Sequence, residues 1–223
     1  MKIAIIRHKG FLGSRLMKAI PETVGIGRGE LDKLNDTWDW VINCAMTYKG
    51  TDEQIVTDNI LPFIKAYQSG AQVIQFGSIM EEVEQDTYTI CKTMIGAMDD
   101  SRLCHFVLGD VYDQEDTSRG NFIDRVLTDK NMKICDSKNE KVLENCHVVY
   151  PHDVNDIISG VLTAVMNDTK HGPLHRAFMF GKVFIENNSD NKCRGHKWGD
   201  KYNCSHEASL RFLISKKEKK NEF

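Results

Sequence analysis

The stretch that decides the fold is KIAIIRHKGFLGSRLM, residues Lys2–Met17. Its first part, Lys2–Ile6, is a short apolar run without polar alternation, which predicts a strand buried on both faces of a parallel sheet. Glycines follow at Gly10 and Gly13, and a helical pattern begins at Ser14. A strand that turns through glycines into a helix is typical of folds that hold a phosphate at the helix N-terminus. The opening of the chain therefore predicts a βα unit of the nucleotide-binding type.

Beyond this unit, strand and helix patterns alternate along the first two thirds of the chain. Strands are predicted at 2–7, 23–27, 39–44, 71–76, 103–108 and 146–149, and helices at 13–19, 53–68, 87–99, 119–129 and 153–166. The alternation predicts an α/β protein with a Rossmann-like, doubly wound parallel sheet and right-handed crossovers. Only about a dozen residues separate the second strand from the third, so that crossover is short or non-helical.

The bulk properties exclude several classes of protein. The 223 residues are 41% hydrophobic and 27% charged with a formal net charge of −3, which is ordinary for a globular protein and gives no reason to expect nucleic-acid binding. No apolar run is long enough to span a membrane, and the N-terminus lacks the layout of a signal peptide. Seven scattered cysteines, an odd number, do not predict a disulfide framework. A cytoplasmic protein without membrane partners is expected.

The glycine turn has two interpretations. Gly10 and Gly13, with Phe11 and Leu12 between them, would line a pyrophosphate at the start of the helix. A G-x-x-G-x-x-G pattern would place its first glycine at position 7, where this chain has Arg7. A plain strand–turn–helix corner therefore explains the same residues equally well.

Basic residues near this turn bear on the choice of cofactor. Arg7 and Lys9 lie in the turn, and Arg28 follows the second strand. Dinucleotide folds that prefer NAD usually place an acid at the end of the second strand, but here the first acids, Glu30 and Asp32, come later. The cations favour NADP(H) over NAD(H) through its 2′-phosphate, although two exposed cations without a ligand would give the same pattern.

Chemistry is indicated by Tyr88 and Lys92, which share one face of a predicted helix. A free tyrosine has a pKa of roughly 10 and is a poor base at neutral pH, but a nearby ammonium and an oxidised nicotinamide would lower that pKa. Tyr88 could then exchange a proton with a substrate oxygen. Ser78, at the end of the preceding strand, would hold the same oxygen. An isolated Y-x-x-x-K is more often a surface pair, and its place after the Ser78 strand is what favours a catalytic role.

At this point the chain resembles the extended short-chain dehydrogenase/reductases, which include nucleotide-sugar epimerases and dTDP-4-dehydrorhamnose reductase-like enzymes. The matching stretches occur in the family's order, cover roughly residues 1–180, and are Lys2–Leu16, Asp39–Ala45, Val73–Ser78, Tyr88–Gly96, Val107–Ile123 and Val148–Val154. The resemblance implies an NAD(P)-binding Rossmann-like domain at 1–180, followed by an abbreviated substrate flap and basic tail at 181–223.

The resemblance also implies roles for individual residues. Tyr88 would be the acid/base, Lys92 its activator and a ribose contact, and Ser78 the donor to the substrate oxygen. Asn43 and Ala45 would lie near the cofactor, and Asn59 is a looser match to an asparagine in a family helix. The implied activity is hydride transfer on a nucleotide-activated sugar, as an oxidoreductase or epimerase, in a homodimer packed through the Tyr88 helix.

Departures from the family pattern keep alternatives open. Arg7 replaces a glycine, the interval from Ser78 to Tyr88 is short, and Ile79 and Met80 stand where dehydratases carry an Asp-Glu pair, which argues against dehydration. A non-catalytic dinucleotide-binding sensor or scaffold would explain the first two departures. The enzyme interpretation requires the hydroxyls of Ser78 and Tyr88 to converge.

The C-terminal segment has an alternative of its own. Cys193, His196, Cys204 and His206 form C-x2-H-x7-C-x-H. Thiolate and imidazole groups bind zinc, but this spacing matches none of the common zinc signatures. The sequence therefore assigns no metal here, and a metal-stabilised interaction module stays as the competing hypothesis.

Overall fold

The N-terminal half of the protein contains a five-stranded parallel sheet. The computed structural model describes residues 1–82, 86–113, 132–135, 147–149, 151–166 and 183–187. The strands are β1 (Ile3–Ile6), β2 (Val24–Ile26), β3 (Trp40–Asn43), β4 (Gln72–Ser78) and β5 (Leu103–Leu108). Their order is β2-β1-β3-β4-β5, and every neighbouring pair is parallel. The predicted α/β class with a parallel Rossmann-like sheet is confirmed.

Burial explains why these segments form strands. Every residue of β1, β3 and β5 is buried, as expected for strands covered by helices on both faces. Around the sheet the core contains Ile6, Val41, Phe63, Val73 and Leu103, each less than 5% exposed. The continuous apolar runs in the sequence are therefore strands of the sheet interior.

Four helices are described, and side-chain caps mark the starts of two of them. They are α1 (Phe11–Ala19), α2 (Asp52–Gln68), α3 (Thr87–Gly96) and α4 (Val154–Met166). Thr51 caps α2 by accepting a hydrogen bond from the Gln54 N–H, and Asp86 caps α3 by accepting one from the Thr89 N–H. The cap at Asp86 fixes the start of α3, and with it the position of the tyrosine two residues later.

The connection between β2 and β3 is the short one that the sequence predicts. It contains a 3₁₀ helix, Arg28–Lys33, and residues 27–39 contain no strand. Because the chain goes from β1 outward to β2 and then returns to the other side of β1, the strand order reverses between β1 and β3. In open α/β sheets, ligands bind at such a switch point, outside the carboxyl ends of the strands.

Contacts divide the chain into two units, Met1–Leu108 with Ile157–Ala177, and Gly109–Asp156 with Phe178–Phe223. In the second unit β6 (Asp110–Tyr112) pairs with β9 (Pro151–Asp153) in parallel. There β10 (Val183–Asn187) also pairs antiparallel with β7 (Met132–Cys135) and β8 (His147–Val149). Of these strands the sequence predicts only β8, since the others are short and weakly patterned. The predicted helix at 119–129 lies outside the described residues.

In the described part of the chain, none of the helices is both long and apolar enough to cross a membrane.

Candidate active site

The Ser78 and Tyr88 side chains meet at the carboxyl end of β4. Ser78 is the last residue of β4, and Tyr88 lies in the first turn of α3. The Ser78 hydroxyl lies close enough to the Tyr88 phenol to lower its pKa. The Ser78 Oγ also accepts a hydrogen bond of 3.2 Å from the Met80 N–H, which holds the turn that follows the strand. The two hydroxyls that the enzyme interpretation brings together therefore lie near each other.

The pKa of Tyr88 is raised well above its ordinary value. Burial is the largest cause, the Glu81 carboxylate adds to it, and the Ser78 hydroxyl acts in the opposite direction. Asp86 and the edge-on ring of Tyr48, 6.4 Å away between centroids, raise the pKa further. The sequence predicts instead that Lys92 lowers this pKa. Burial dominates here, so the phenol stays protonated at neutral pH.

Lys92 lies beneath the tyrosine and is almost completely buried, with 1% of its surface exposed. Its Nζ donates hydrogen bonds to the Phe76 O at 3.1 Å and the Ala45 O at 3.3 Å, and lies 5.6 Å from the centre of the Tyr88 ring. Burial lowers the pKa of Lys92 to about 8, while Glu81 opposes that shift. The lysine ties α3 to the ends of both β3 and β4.

Asparagines hold the segment that follows β3. Asn43 Nδ2 donates to Gln75 Oε1 at 2.7 Å, and Asn43 Oδ1 accepts the Ala45 N–H at 3.0 Å. Asn59, buried in α2, donates to the Thr47 O at 2.6 Å and accepts the Thr47 N–H at 3.3 Å. The structure thus gives Asn59, which the sequence matches only loosely, a definite role in fixing residues 45–47.

The glycine turn has the close approach that a pyrophosphate site needs. A Cβ at Gly13 would lie 2.5 Å from the Arg7 O and 2.9 Å from the His8 Cα, so only glycine allows α1 to pack this tightly on the end of β1. Gly10 precedes α1 and is exposed, as is suited to a helix N-terminus that receives an anion. Phe11 and Leu12 are half-buried in its first turn. These residues fit a dinucleotide.

Arg7 takes the backbone conformation that a glycine would adopt more easily. Its φ of 60° lies in the left-handed region, and its carbonyl accepts the Gly10 N–H at 2.8 Å. The turn therefore keeps its shape without the first glycine. The side chain reaches across the switch point, where Nη2 donates to Thr47 Oγ1 at 3.2 Å and lies 3.9 Å from Asp58 Oδ2.

Asp58 gathers the cations of this edge. Besides Arg7, it pairs with Arg28 and accepts a hydrogen bond of 3.0 Å from Thr47 Oγ1. The Arg28 side chain is 63% exposed, and Lys9 is exposed beside the glycine turn. Of the cofactor cations that the sequence predicts, Arg7 and Arg28 come together on one carboxylate, and Lys9 stands apart from them.

Several residues near the site carry little signal in the sequence. Asp58 and Thr47 are ordinary polar residues in a helix and a loop, and no motif marks them. Glu81 and His105 are buried below Ser78, and a histidine inside an apolar strand pattern was the only available signal.

Other groups do not add a second site in the described residues. Cys44, Cys91 and Cys104 are free thiols there, and burial raises the pKa of Cys44 to about 12. Within the same residues, no three His, Cys, Asp or Glu side chains cluster as a metal site would require. The segment with Cys193, His196, Cys204 and His206 lies outside them.

Comparison with known proteins identifies the fold. The sequence matches no protein-family model and no curated protein sequence. Solved structures do match, and their similarity is in the fold. A dTDP-4-dehydrorhamnose reductase from Bacillus anthracis, in complex with NADP, is 13% identical with a TM-score of 0.57, over 82% of this chain and 76% of that one.

Two further structures agree. A short-chain dehydrogenase/reductase superfamily protein from Agrobacterium tumefaciens with bound NAD is 12% identical with a TM-score of 0.55, over 78% of this chain and 76% of that one. A UDP-N-acetylglucosamine 4-epimerase from Bacillus cereus is 13% identical with a TM-score of 0.54, over 81% and 78% of the two chains. The resemblance to extended short-chain dehydrogenase/reductases is confirmed at the level of the fold.

Proposed function

We propose that this chain is an NAD(P)-dependent oxidoreductase or epimerase that acts on a nucleotide-activated sugar, with Tyr88 as the acid/base. The observation that carries the proposal is the proximity of the Ser78 and Tyr88 side chains above the buried Lys92, at the carboxyl end of β4. The fold supports it because the matching structures include reductases and epimerases of sugar nucleotides.

In the proposed mechanism the bound nicotinamide supplies or accepts the hydride. Ser78 donates a hydrogen bond to the sugar oxygen and holds it next to the Tyr88 hydroxyl. The raised pKa of Tyr88 keeps a proton available for that oxygen as a carbonyl is reduced. A positive charge on Lys92 favours the phenolate that remains and helps the proton to leave. Gly10, Gly13 and the start of α1 would hold the pyrophosphate.

We infer a preference for NADP(H) from the charges at the ends of β1 and β2. Arg28 follows β2 with an exposed side chain, and Lys9 is exposed nearby. Glu30, the first acid after β2, is engaged with Lys33 and the Gly27 N–H, which leaves it poorly placed to hold ribose hydroxyls. An arginine suits a phosphate because its donors match the phosphate oxygens.

We also propose a homodimer through α2 and α3. Both helices expose apolar side chains, with Val56 and Ile64 about 40% exposed on α2, and Ile90 and Met94 more exposed on α3. Thr87 Oγ1 bonds to Asp52 Oδ1 at 2.5 Å and holds the two helix starts together. Sedimentation should give a dimer for the wild type and a monomer for Met94→Glu.

The test of the function begins with a fluorescence titration of the protein with NADPH and NADH. Saturable NADPH binding would be followed by assays with dTDP-4-dehydrorhamnose, UDP-galactose and UDP-N-acetylglucosamine, with Tyr88→Phe as the inactive control. Binding of neither cofactor at millimolar concentration would contradict the dinucleotide proposal.

A second candidate is a dinucleotide-binding sensor or scaffold without turnover. The observation that favours it is the Arg7 side chain, which occupies the switch point between β1 and β3. It predicts cofactor binding that survives Tyr88→Phe and no turnover of any sugar nucleotide by the wild type.

A further inference from the structure

A buried acid and a buried histidine face each other directly behind Ser78. Glu81 follows β4 in a short 3₁₀ turn, and His105 lies in the middle of β5. Their side chains are 4% and 2% exposed, and His105 Nε2 lies 3.7 Å from Glu81 Oε1. Groups of this kind are costly to bury and are seldom present only for packing.

Two glycines make the space that this pair occupies. A Cβ at Gly77 would lie 2.3 Å from both Glu81 Oε1 and His105 Nε2. A Cβ at Gly96, on α3, would lie 2.5 Å from His105 Cε1 and 3.3 Å from Glu81 Oε2. A larger residue at either position would displace the pair, so β4 and α3 are both shaped around it.

The pair contacts the candidate active site through one hydrogen bond. The Ser78 N–H donates to Glu81 Oε1 at 2.6 Å, a short bond of the strength expected when the acceptor is a carboxylate. The turn is held again by the Ser78 Oγ, which accepts the Met80 N–H. Glu81 therefore fixes the Ser78 backbone, the Met80 N–H fixes the Ser78 hydroxyl, and His105 packs beside the Glu81 carboxylate.

We propose that Glu81, packed beside His105, is a positioning residue that orients Ser78 toward the substrate oxygen. Its carboxylate accepts the Ser78 N–H and so fixes the backbone at the end of β4, which keeps the serine hydroxyl next to Tyr88. The pair faces the interior, between β4, β5 and α3. It acts through Ser78 without touching the substrate. This inference rests on the role proposed for Ser78.

The first test needs no substrate. In proton–nitrogen NMR spectra of the full chain, the Ser78 amide proton should lie far downfield and move upfield in Glu81→Gln. Glu53→Gln, which changes an exposed carboxylate on α2, is the matched control and should leave the resonance in place. A Ser78 resonance that does not respond to Glu81→Gln overturns the proposal.

The second test is a double-mutant cycle with NADPH and dTDP-4-dehydrorhamnose. Glu81→Gln should lower kcat about tenfold with little change in the NADPH KM, because a misplaced catalytic group costs rate more than cofactor binding. In the Ser78→Ala background the same substitution should have no further effect. A full additional loss in that background would show that Glu81 acts elsewhere and would overturn the proposal.

The two tests separate this inference from the proposed function. If the wild type turns over no sugar nucleotide, the proposed function fails, and the Ser78 amide resonance alone decides whether Glu81 holds the turn. If Glu81→Gln does not fold, Gly96→Ala displaces the pair by steric contact and serves as the second variant in both measurements.

Discussion

Two regions along the carboxyl edge of the sheet, called here the β3–β4 end and the β1–β2 end, are built differently. At the β3–β4 end, defined by Asn43, Asn59 and Lys92, all three side chains are buried and each makes two or more hydrogen bonds. At the β1–β2 end, defined by Arg7, Arg28 and Asp58, the side chains are partly or mostly exposed and are joined by ion pairs.

The buried hydrogen bonds fix the side chains at the β3–β4 end, whereas the ion pairs at the β1–β2 end can be exchanged for others. Buried hydrogen bonds are costly to break because no water compensates for them, whereas exposed ion pairs contribute little and exchange readily with other charges. The β3–β4 end is thus suited to hold catalytic groups in one geometry. At the β1–β2 end, the cofactor proposal requires a phosphate to compete with Asp58 for Arg7 and Arg28.

The largest expected effect would come from Tyr88→Phe. We expect turnover to fall by about a thousandfold, the range for loss of a general acid or base, while NADPH affinity stays within about twofold of the wild type. Steady-state assays and fluorescence titration measure the two quantities. The control is Tyr67→Phe, which removes a hydroxyl bonded to Asp100 at the far end of α2 and should leave turnover unchanged. An equal loss of affinity and turnover in Tyr88→Phe would break the separation between the two ends.

The next effect concerns pH and Lys92. The pKa of Lys92 is about 8 in the folded protein and 10.5 for an ordinary lysine, the value that applies to the unfolded chain. Below pH 8 the lysine is protonated in both the folded and the unfolded chain, and burial of its ammonium destabilises the fold. Between pH 8 and 10.5 the folded state releases the proton first, so stability rises with pH, by about 3 kcal/mol over the whole window.

The Lys92→Met variant lacks this titration, so its stability at each pH is the reference for the wild type. Denaturant unfolding at pH 7.5 and 9.5 should show the wild type gaining stability relative to the variant. A relative loss over that range would mean that the buried lysine is not destabilised by its surroundings, and would contradict the account of the β3–β4 end.

A smaller effect is expected on stability, and it can be tested within one helix. Asp58 and Asn59 are adjacent in α2, but Asp58 belongs to the β1–β2 end and Asn59 to the β3–β4 end. Asn59→Ala leaves the half-buried Thr47 backbone groups without their partner and creates a cavity at a fully buried position, and it should lower the free energy of unfolding by about 2–3 kcal/mol. Asp58→Asn should cost less than about 1 kcal/mol, since its ion pairs are near the surface. Urea unfolding measures both, and a reversed order would contradict the assignment.

The smallest expected effect is on cofactor choice. Arg28→Ala should weaken NADPH binding by about tenfold and leave NADH binding unchanged, because it removes a charged partner of the 2′-phosphate. Asp58→Asn should do the opposite and tighten NADPH binding, since Arg28 is then no longer held by a carboxylate. Titration of the two variants with both cofactors decides this. Equal changes for NADPH and NADH would remove the argument for NADP(H).

The sequence predicts much of the sheet and little of what holds the site in place. Each strand of the five-stranded sheet is predicted to within two residues at each end, because buried parallel strands are continuous apolar runs. The start of α3 at Thr87 is predicted as well, and its end is predicted three residues too late. In the second unit β8 is predicted, whereas the other strands, three to five residues long, are too short for a period to show.

The candidate site divides in the same way. Ser78, Tyr88 and Lys92 are predicted to lie together because they occupy motif positions at the end of β4 and on α3, the next helix. Asp58 could not be found, because its role comes from two arginines that lie 30 and 51 residues away in the chain. The raised pKa of Tyr88 likewise depends on burial and on Glu81, which the spacing of a motif does not encode.

The short strand β2 also affects the tendency of the protein to aggregate. In the described part of the chain, β2 is the edge of the five-stranded sheet, and it is only three residues long. A Cβ at its central residue, Gly25, would lie 2.4 Å from the His8 ring, so this position cannot carry an apolar side chain that would add to an aggregation-prone edge. An edge this short offers few free backbone groups to a strand from another molecule. The sheet is thereby protected on this side from edge-to-edge aggregation.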